Sequence, residues 1–241
     1  MRRRLVGLYA IVLAASFIGG CSKSSNGTNP TGPGTTTAPH LATPTFTGPN
    51  TTSDSLGAIE AKSLSATMNF QVAFAESFQT GQAKQNGSTW SWTYHSSTSS
   101  FTATWSAVKQ SDGSYSWSLV FNGQTDSVTY NNWTFLKGTT SSDGKSGNCT
   151  IYYSNTSSIG IQFNWTTASN GTVTGTVLVY NASGAVTEKV VITNNTDKSG
   201  EVDVYTGAQM TFKATWQSNG SGQWWEYDPS SGAQVYYGTW S

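Results

Sequence analysis

From residue 88 to the last residue, apolar and polar side chains alternate one by one, and the alternation is broken only at short turns. Trp90, Trp92 and Tyr94 alternate with Ser91, Thr93 and His95. Phe101, Ala103 and Trp105 do so next, then Tyr115, Trp117, Leu119 and Phe121. Ile159, Ile161, Phe163 and Trp165 follow, and later Met210, Phe212, Ala214 and Trp216. A period of two puts successive side chains on opposite faces of a strand, so each run has one dry and one wet face. The interruptions are Asn86-Gly87, Asp112-Gly113, Asn122-Gly123, Asp143-Gly144, Asn170-Gly171, Ser183-Gly184 and Asn219-Gly220. Such dipeptides supply the positive φ of tight hairpins, which join antiparallel neighbours. The expected fold is therefore mainly β: an antiparallel β-meander over residues 88–241, closed into a barrel or left as a half-barrel. The spacing of the turns predicts about eleven or twelve strands.

Composition removes the rival classes. Only 10% of residues are charged, too few for long solvated helices. Aromatics make up 13%, enough to build a core and to exclude a disordered polar chain. The 71 Ser and Thr residues suit the wet face of a sheet. Pro229, the only proline after residue 49, stands in Asp228-Pro229-Ser230-Ser231-Gly232, a turn where no ladder hydrogen bond is lost.

One segment reads differently. Residues 54–80 suggest an N-terminal helix, with Ser53 or Asp54 as cap and Gly81 as a left-handed stop. Leu56, Ile59, Leu64, Met68, Val72 and Ala75 approximate one stripe, with Phe70, Phe74 and Phe78 beside it. Met68, Phe70, Val72 and Phe74 also alternate, which leaves a strand reading open.

The first twenty residues form an address. Arg2–Arg4 are basic, Leu5–Ile18 are apolar, and Gly19-Gly20 precede Cys21. These are the parts of a secretory signal peptide, and the apolar run is short for a membrane span of ~20 residues. Ile18-Gly19-Gly20-Cys21 resembles the lipobox of bacterial lipoproteins. The resemblance implies cleavage of residues 1–20, acylation of Cys21, and anchorage in the bacterial cell envelope, with Ser22 favouring the outer membrane. The membrane is then a partner through the acyl chains, each buried CH₂ contributing ~0.8 kcal/mol. Residues 22–52 are rich in Ser, Thr, Gly and Pro and read as a flexible linker. The helix-plus-meander layout also looks broadly like lipoprotein carrier domains of the periplasm, a likeness of architecture that carries no motif.

Charge and motif content exclude several functions. After Arg4 there is no arginine, and the nine lysines are outnumbered by twelve acids. Nucleic-acid binding needs a basic patch that this chain lacks. Gly138-Thr139-Thr140-Ser141-Ser142-Asp143-Gly144-Lys145-Ser146 has five residues between its glycines where a phosphate loop has four, so no nucleotide is expected. Asn195–Gly200 resembles half of a calcium loop, but Thr206 stands where a bidentate glutamate is needed. Once Cys21 is acylated, Cys149 has no partner for a disulfide, and a zinc site lacks ligands. Neither metal nor cofactor is expected. His95 is the only histidine after residue 40 and falls on the wet parity. The acids Glu201 and Asp203, or Glu226 and Asp228, are the available carboxylate pairs, read as solvated strand faces or turns. No catalytic residue is assigned, and the chain is read as a non-enzyme.

Two features remain. Ser146-Gly147, Ser199-Gly200 and Ser221-Gly222 are each followed, five residues after the glycine, by Tyr152, Tyr205 and Tyr227. This echo puts Cys149 in line with Val202 and Trp224, a core position. At the C-terminus Trp224-Trp225 and Tyr236-Tyr237 place aromatics on both faces of their strands. The second face is expected to carry Trp225, Tyr227, Tyr236 and Trp240, flat rings that suit a glycan ligand. The functional expectation is a structural or interaction role for an envelope lipoprotein. The alternatives are a carrier of lipid or another apolar ligand, and a glycan-binding module on those four aromatics.

Overall fold

The computed structural model describes residues 37–41, 43–77, 79, 82–125 and 127–241, and the side chains of 70–76 lie outside that description. Cys21 and the signal segment lie outside it too. The body is one antiparallel meander of thirteen strands in sequence order, and it is not closed. The strands are β1 (Lys84–Asn86), β2 (Thr89–His95), β3 (Thr102–Lys109), β4 (Tyr115–Gln124), β5 (Thr129–Thr140), β6 (Ser146–Tyr152) and β7 (Ile159–Thr167). They continue as β8 (Val173–Tyr180), β9 (Val186–Asn194), β10 (Gly200–Thr206), β11 (Gln209–Trp216), β12 (Gly222–Tyr227) and β13 (Gln234–Trp240). The open half-barrel is thus realised and the closed barrel is not. β1 is the strand that alternation did not reveal, because Lys84, Gln85 and Asn86 are all exposed.

The dry set of every long strand faces one way. This inner face holds Trp92, Trp105, Leu119, Phe163, Ile192, Val202 and Ala214, all buried. It is covered by α1 (Leu56–Glu76) and by the chain that leads into it. The segment therefore forms a helix rather than a strand. Its first intrahelical bond runs from Ile59 N–H to the Ser55 carbonyl, 3.0 Å, one residue past the expected caps. The buried stripe is Ala58, Ala61, Leu64 and Met68, whereas Leu56 and Ile59 point to solvent at 64% and 49% exposure. Small residues win the inner positions because the helix lies close to the sheet. A Cβ on Gly57 would come within 2.1 Å of the Trp224 ring. The expected Phe70–Phe74–Phe78 ladder and the stop at Gly81 fall outside the described side chains and residues.

The linker expected to run to residue 52 is, over residues 43–52, a docked arm. Phe46 is 1% exposed, meets the Phe163 ring edge-on at 6.1 Å, and fills the space above Gly175. Two asparagines grip the backbone around it. Asn69 of α1 accepts the Phe46 N–H at 2.8 Å and donates to the Phe46 carbonyl at 2.7 Å. Asn194 of β9 does the same for Thr47, at 2.9 and 2.8 Å. Each amide satisfies both polar groups of one residue, which is how an irregular segment can be buried without orphaned backbone. Lys62 adds a bond to the Thr51 carbonyl. Composition concealed this arm, because one phenylalanine among polar residues makes no pattern.

The Ser-Gly echo has a structural cause. Gly147, Gly200 and Gly222 each lie opposite a tryptophan of the next strand: Trp165, Trp216 and Trp240. In all three, a Cβ on the glycine would lie 2.2–2.4 Å from the indole Cζ2. The ring lies flat across the glycine and its N–H reaches back to the preceding turn. Trp216 donates to the Lys198 carbonyl at 3.1 Å and Trp240 to the Gly220 carbonyl at 2.7 Å. The glycine is thus a seat for a cross-strand indole, and the tight turn before it supplies the acceptor. Cys149 packs against the core on the same face, and burial pushes its thiol up to about 12. A void of about 20 Å³ lies among Leu41, Trp105, Leu136, Cys149 and Phe163.

Candidate binding surface

The four aromatics expected on one face are divided between two. β12 and β13 pair across the Asp228–Ala233 turn, whose ends are joined by Asp228 N–H to the Ala233 carbonyl at 2.8 Å. Tyr227 faces Gln234, but Glu226 faces Tyr236, so Val235 is an extra residue in β13. Without that bulge Trp225 would face Tyr236. With it, Trp225 faces Tyr237. One inserted residue exchanges the faces of everything beyond it. Tyr236 consequently stands on the inner face, stacked on Trp224 at 4.8 Å, and Trp240 is buried over Gly222. Tyr227 is half-buried beside the turn. Only Trp225 keeps a central place on the outer face.

Its neighbours there are residues that parity alone did not select. The Tyr237 ring lies 5.7 Å from that of Trp225 at 43°, and is 48% exposed. The Tyr237 hydroxyl donates to Gln223 Oε1 at 3.2 Å. Lys213 is the register partner of Trp225 on β11, and Asp203 is the partner of Lys213 on β10. The Lys213 ammonium bridges two carboxylates, Glu201 Oε2 at 2.6 Å and Asp203 Oδ1 at 3.3 Å. Partial burial and then the Glu201 charge raise the Asp203 pKa, against the opposing pull of Lys213. Burial alone would lower Lys213, but its bonds to the two carboxylates hold it above the ordinary lysine value. The outer end of the sheet therefore offers a tilted ring pair beside an amide and a triad of one ammonium between two carboxylates. Two tyrosines of the echo, Tyr205 and Tyr152, are also on this face, each under a lysine. Lys189 sits 3.8 Å above Tyr205, and Lys137 5.3 Å above Tyr152.

The other candidates resolve into turn chemistry. Asp197 accepts the Ser199 N–H at 2.9 Å and hydroxyl at 2.6 Å, bonds that lower its pKa. The half calcium loop is thus a hairpin turn whose acid is already used. Asp143 does the same with Ser141 and Lys145 in the loop that mimicked a phosphate cradle. Asp228 accepts from Ser230 and Ser231 of its own turn. Glu226 faces inward, and burial, followed by the Glu226 charge, raises the pKa of Glu60 on α1. Burial and the Glu60 charge raise Glu188 of β9 likewise. Among the described residues no cluster of three His, Cys, Asp or Glu side chains could hold a metal ion. His95 is exposed at the end of β2. Among the described residues no helix is long and apolar enough to cross a membrane. No family model matches the chain, and no curated protein sequence matches it.

Proposed function

We propose that the chain is an envelope lipoprotein, anchored through Cys21, that works without catalysis by presenting a glycan-binding surface on the outer face of β10–β13. The observation that carries the reading is the contrast in how aromatics are used. Eight of the ten tryptophans are buried, and Trp225 is one of the two that are not. It is paired with an exposed tyrosine and ringed by hydrogen-bonding side chains. An apolar ring face beside amide and carboxylate groups matches the alternating C–H and hydroxyl surfaces of a sugar. The two carboxylates outnumber the single ammonium of Lys213, which leaves the patch mildly acidic and favours an uncharged glycan over a polyanion.

The carrier reading draws less support. The inner face, where an apolar ligand would sit, is occupied by Phe46, Leu64 and Met68. The void of about 20 Å³ beside Leu41, Trp105 and Cys149 has room for about one water and not for an acyl chain. Loading a lipid would require the arm and helix to leave.

Glycan-array and peptidoglycan pull-down measurements on the full chain test the proposal. Trp225→Ala is expected to weaken binding about tenfold or more, equivalent to ~1.4 kcal/mol. Tyr227→Ala, beside the turn, is expected to have a smaller effect. Unchanged signals for Trp225→Ala would remove the glycan reading. Cys21→Ala is expected to release the chain from the membrane fraction, and retention there would place the anchor elsewhere.

A further inference from the structure

The two ends of the open sheet are built differently. β1 is three residues long, begins with Lys84, and all of it is exposed and polar. A short charged strand of this kind discourages further pairing. β13 has seven residues with no charge and no proline. It carries three of the largest exposed apolar side chains in consecutive positions: Val235 57%, Tyr236 49% and Tyr237 48%. Among the described residues no strand pairs with its outer side. A long, uncharged apolar edge is a template for another strand.

We infer that β13 pairs antiparallel with β13 of a second copy, so that two sheets join edge to edge about a two-fold axis. Three observations favour the second copy as occupant. The strand is self-compatible, since it has no charged side chain to be opposed by its own image. The other edge is too short and too polar to serve, so head-to-tail stacking through β1 is disfavoured and the closed two-fold arrangement remains. The bulge at Val235 confines regular pairing to Tyr236–Trp240. Centred on Gly238, that stretch places Tyr237 opposite Thr239 of the partner subunit, an aromatic against a β-branched residue, a favourable cross-strand pair. The inward neighbours would be Tyr236 and Trp240 of the partner subunit. One strand pair buries well under the ~1,200 Å² of a standard stable interface, so the dimer is reversible and depends on concentration. Joining at β13 also brings the two Trp225–Tyr237 pairs onto one continuous outer face.

The test uses the full chain in the bacterial envelope, without any glycan. Thr239→Cys, treated with a permeant bis-maleimide, is expected to give a species at twice the mass of the processed monomer. Gln85→Cys on β1 and the unmodified chain are expected to show no such species. A Thr239→Cys adduct that is absent, or no stronger than the Gln85→Cys adduct, would overturn the inference, as would an adduct containing a different protein. Purified full chain in detergent is expected to sediment faster as its concentration rises. Thr239→Lys should abolish that shift while leaving the circular dichroism melt in place, and Tyr237→Lys, within the paired stretch, serves as a second edge variant. A shift that survives both, with both variants folded, would overturn the proposal. Glycan binding enters neither readout, so this inference and the functional one fail separately.

Discussion

The two faces of the sheet use the same residue types to opposite ends. On the inner face, aromatics sit over glycines, and three of the indoles donate to backbone carbonyls of a neighbouring turn. Phe46, brought in by the arm, closes that face from above. On the outer face at β12 and β13, Trp225 and Tyr237 lean on each other, Lys213 lies across the ladder from Trp225, and Tyr237 is 48% exposed. Ring burial makes the fold on one side, and ring exposure leaves something for a partner on the other. The difference is one of backbone support: the inner rings have seats, while the outer ones have only neighbours.

Removing the closing residue should break the contrast most severely. Phe46→Ala is expected to destabilise the fold by ~3–5 kcal/mol, the range for truncating a buried phenylalanine. Urea denaturation would measure it, and a loss under 1 kcal/mol would mean the arm contributes little. Filling a seat comes next. Gly222→Ala puts a Cβ within 2.2 Å of Trp240 and 2.3 Å of the Thr215 carbonyl, a clash with backbone that cannot swing away. A cost of ~1–3 kcal/mol is expected from such overpacking, and the fluorescence of the displaced indole should change with it. Gly184→Ala isolates the other part of the glycine effect, because it shares the positive φ of a turn but meets nothing within 4 Å.

Acidity should sharpen the comparison at a smaller scale. Burial raises the pKa values of Glu60 and Glu188 on the inner side, followed by the charge of Glu226 on the first and of Glu60 on the second. The folded form therefore holds these protons more tightly than the unfolded chain. Their contribution to stability is full below the ordinary glutamate value of ~4.3 and is lost as pH rises through the raised values. Asp112, Asp143 and Asp197, held low by serine donors in exposed turns, act in the opposite sense at lower pH. Their contribution is lost as pH falls through their depressed values. The melting temperature is expected to rise as pH falls from 7 toward 5 and to drop again in stronger acid. Glu60→Gln should raise the melting temperature near neutrality and flatten that slope. The smallest effect is expected on the outer face, where Trp225→Ala should change stability by less than ~1 kcal/mol while weakening glycan binding.

The alternation made most of the sheet legible, because a strand buried on one side must show it every second residue. Most of the set from Trp90 to Trp216 fell on the dry face that parity assigned, while Ile159 and Met210, each beyond a bulge, pair with Tyr152 and Tyr205 of the other face. What escaped had no such signature. β1 is polar throughout, and the arm shows itself only through Phe46. The helix stripe was rotated because Ala58 and Ala61 outcompete larger residues where the backbone must come close. The candidate surface was half legible. Trp225 was found, but its true neighbour was not, since the face of Tyr237 depends on the single residue Val235 inserted beyond the turn. The Ser-Gly echo was visible as a pattern, but its meaning needed the indole on the opposite strand.

The asparagine grips also set an order of events. Every ladder of the meander joins strands adjacent in sequence, so each can close early over a short loop. The bond between Thr47 and Asn194 spans 147 residues and cannot form until β9 exists. The arm is synthesised before any strand and is seated after most of them. During that interval the tryptophans of the inner face lack their cover. One of the first segments made thus waits for the ninth strand before it can be seated.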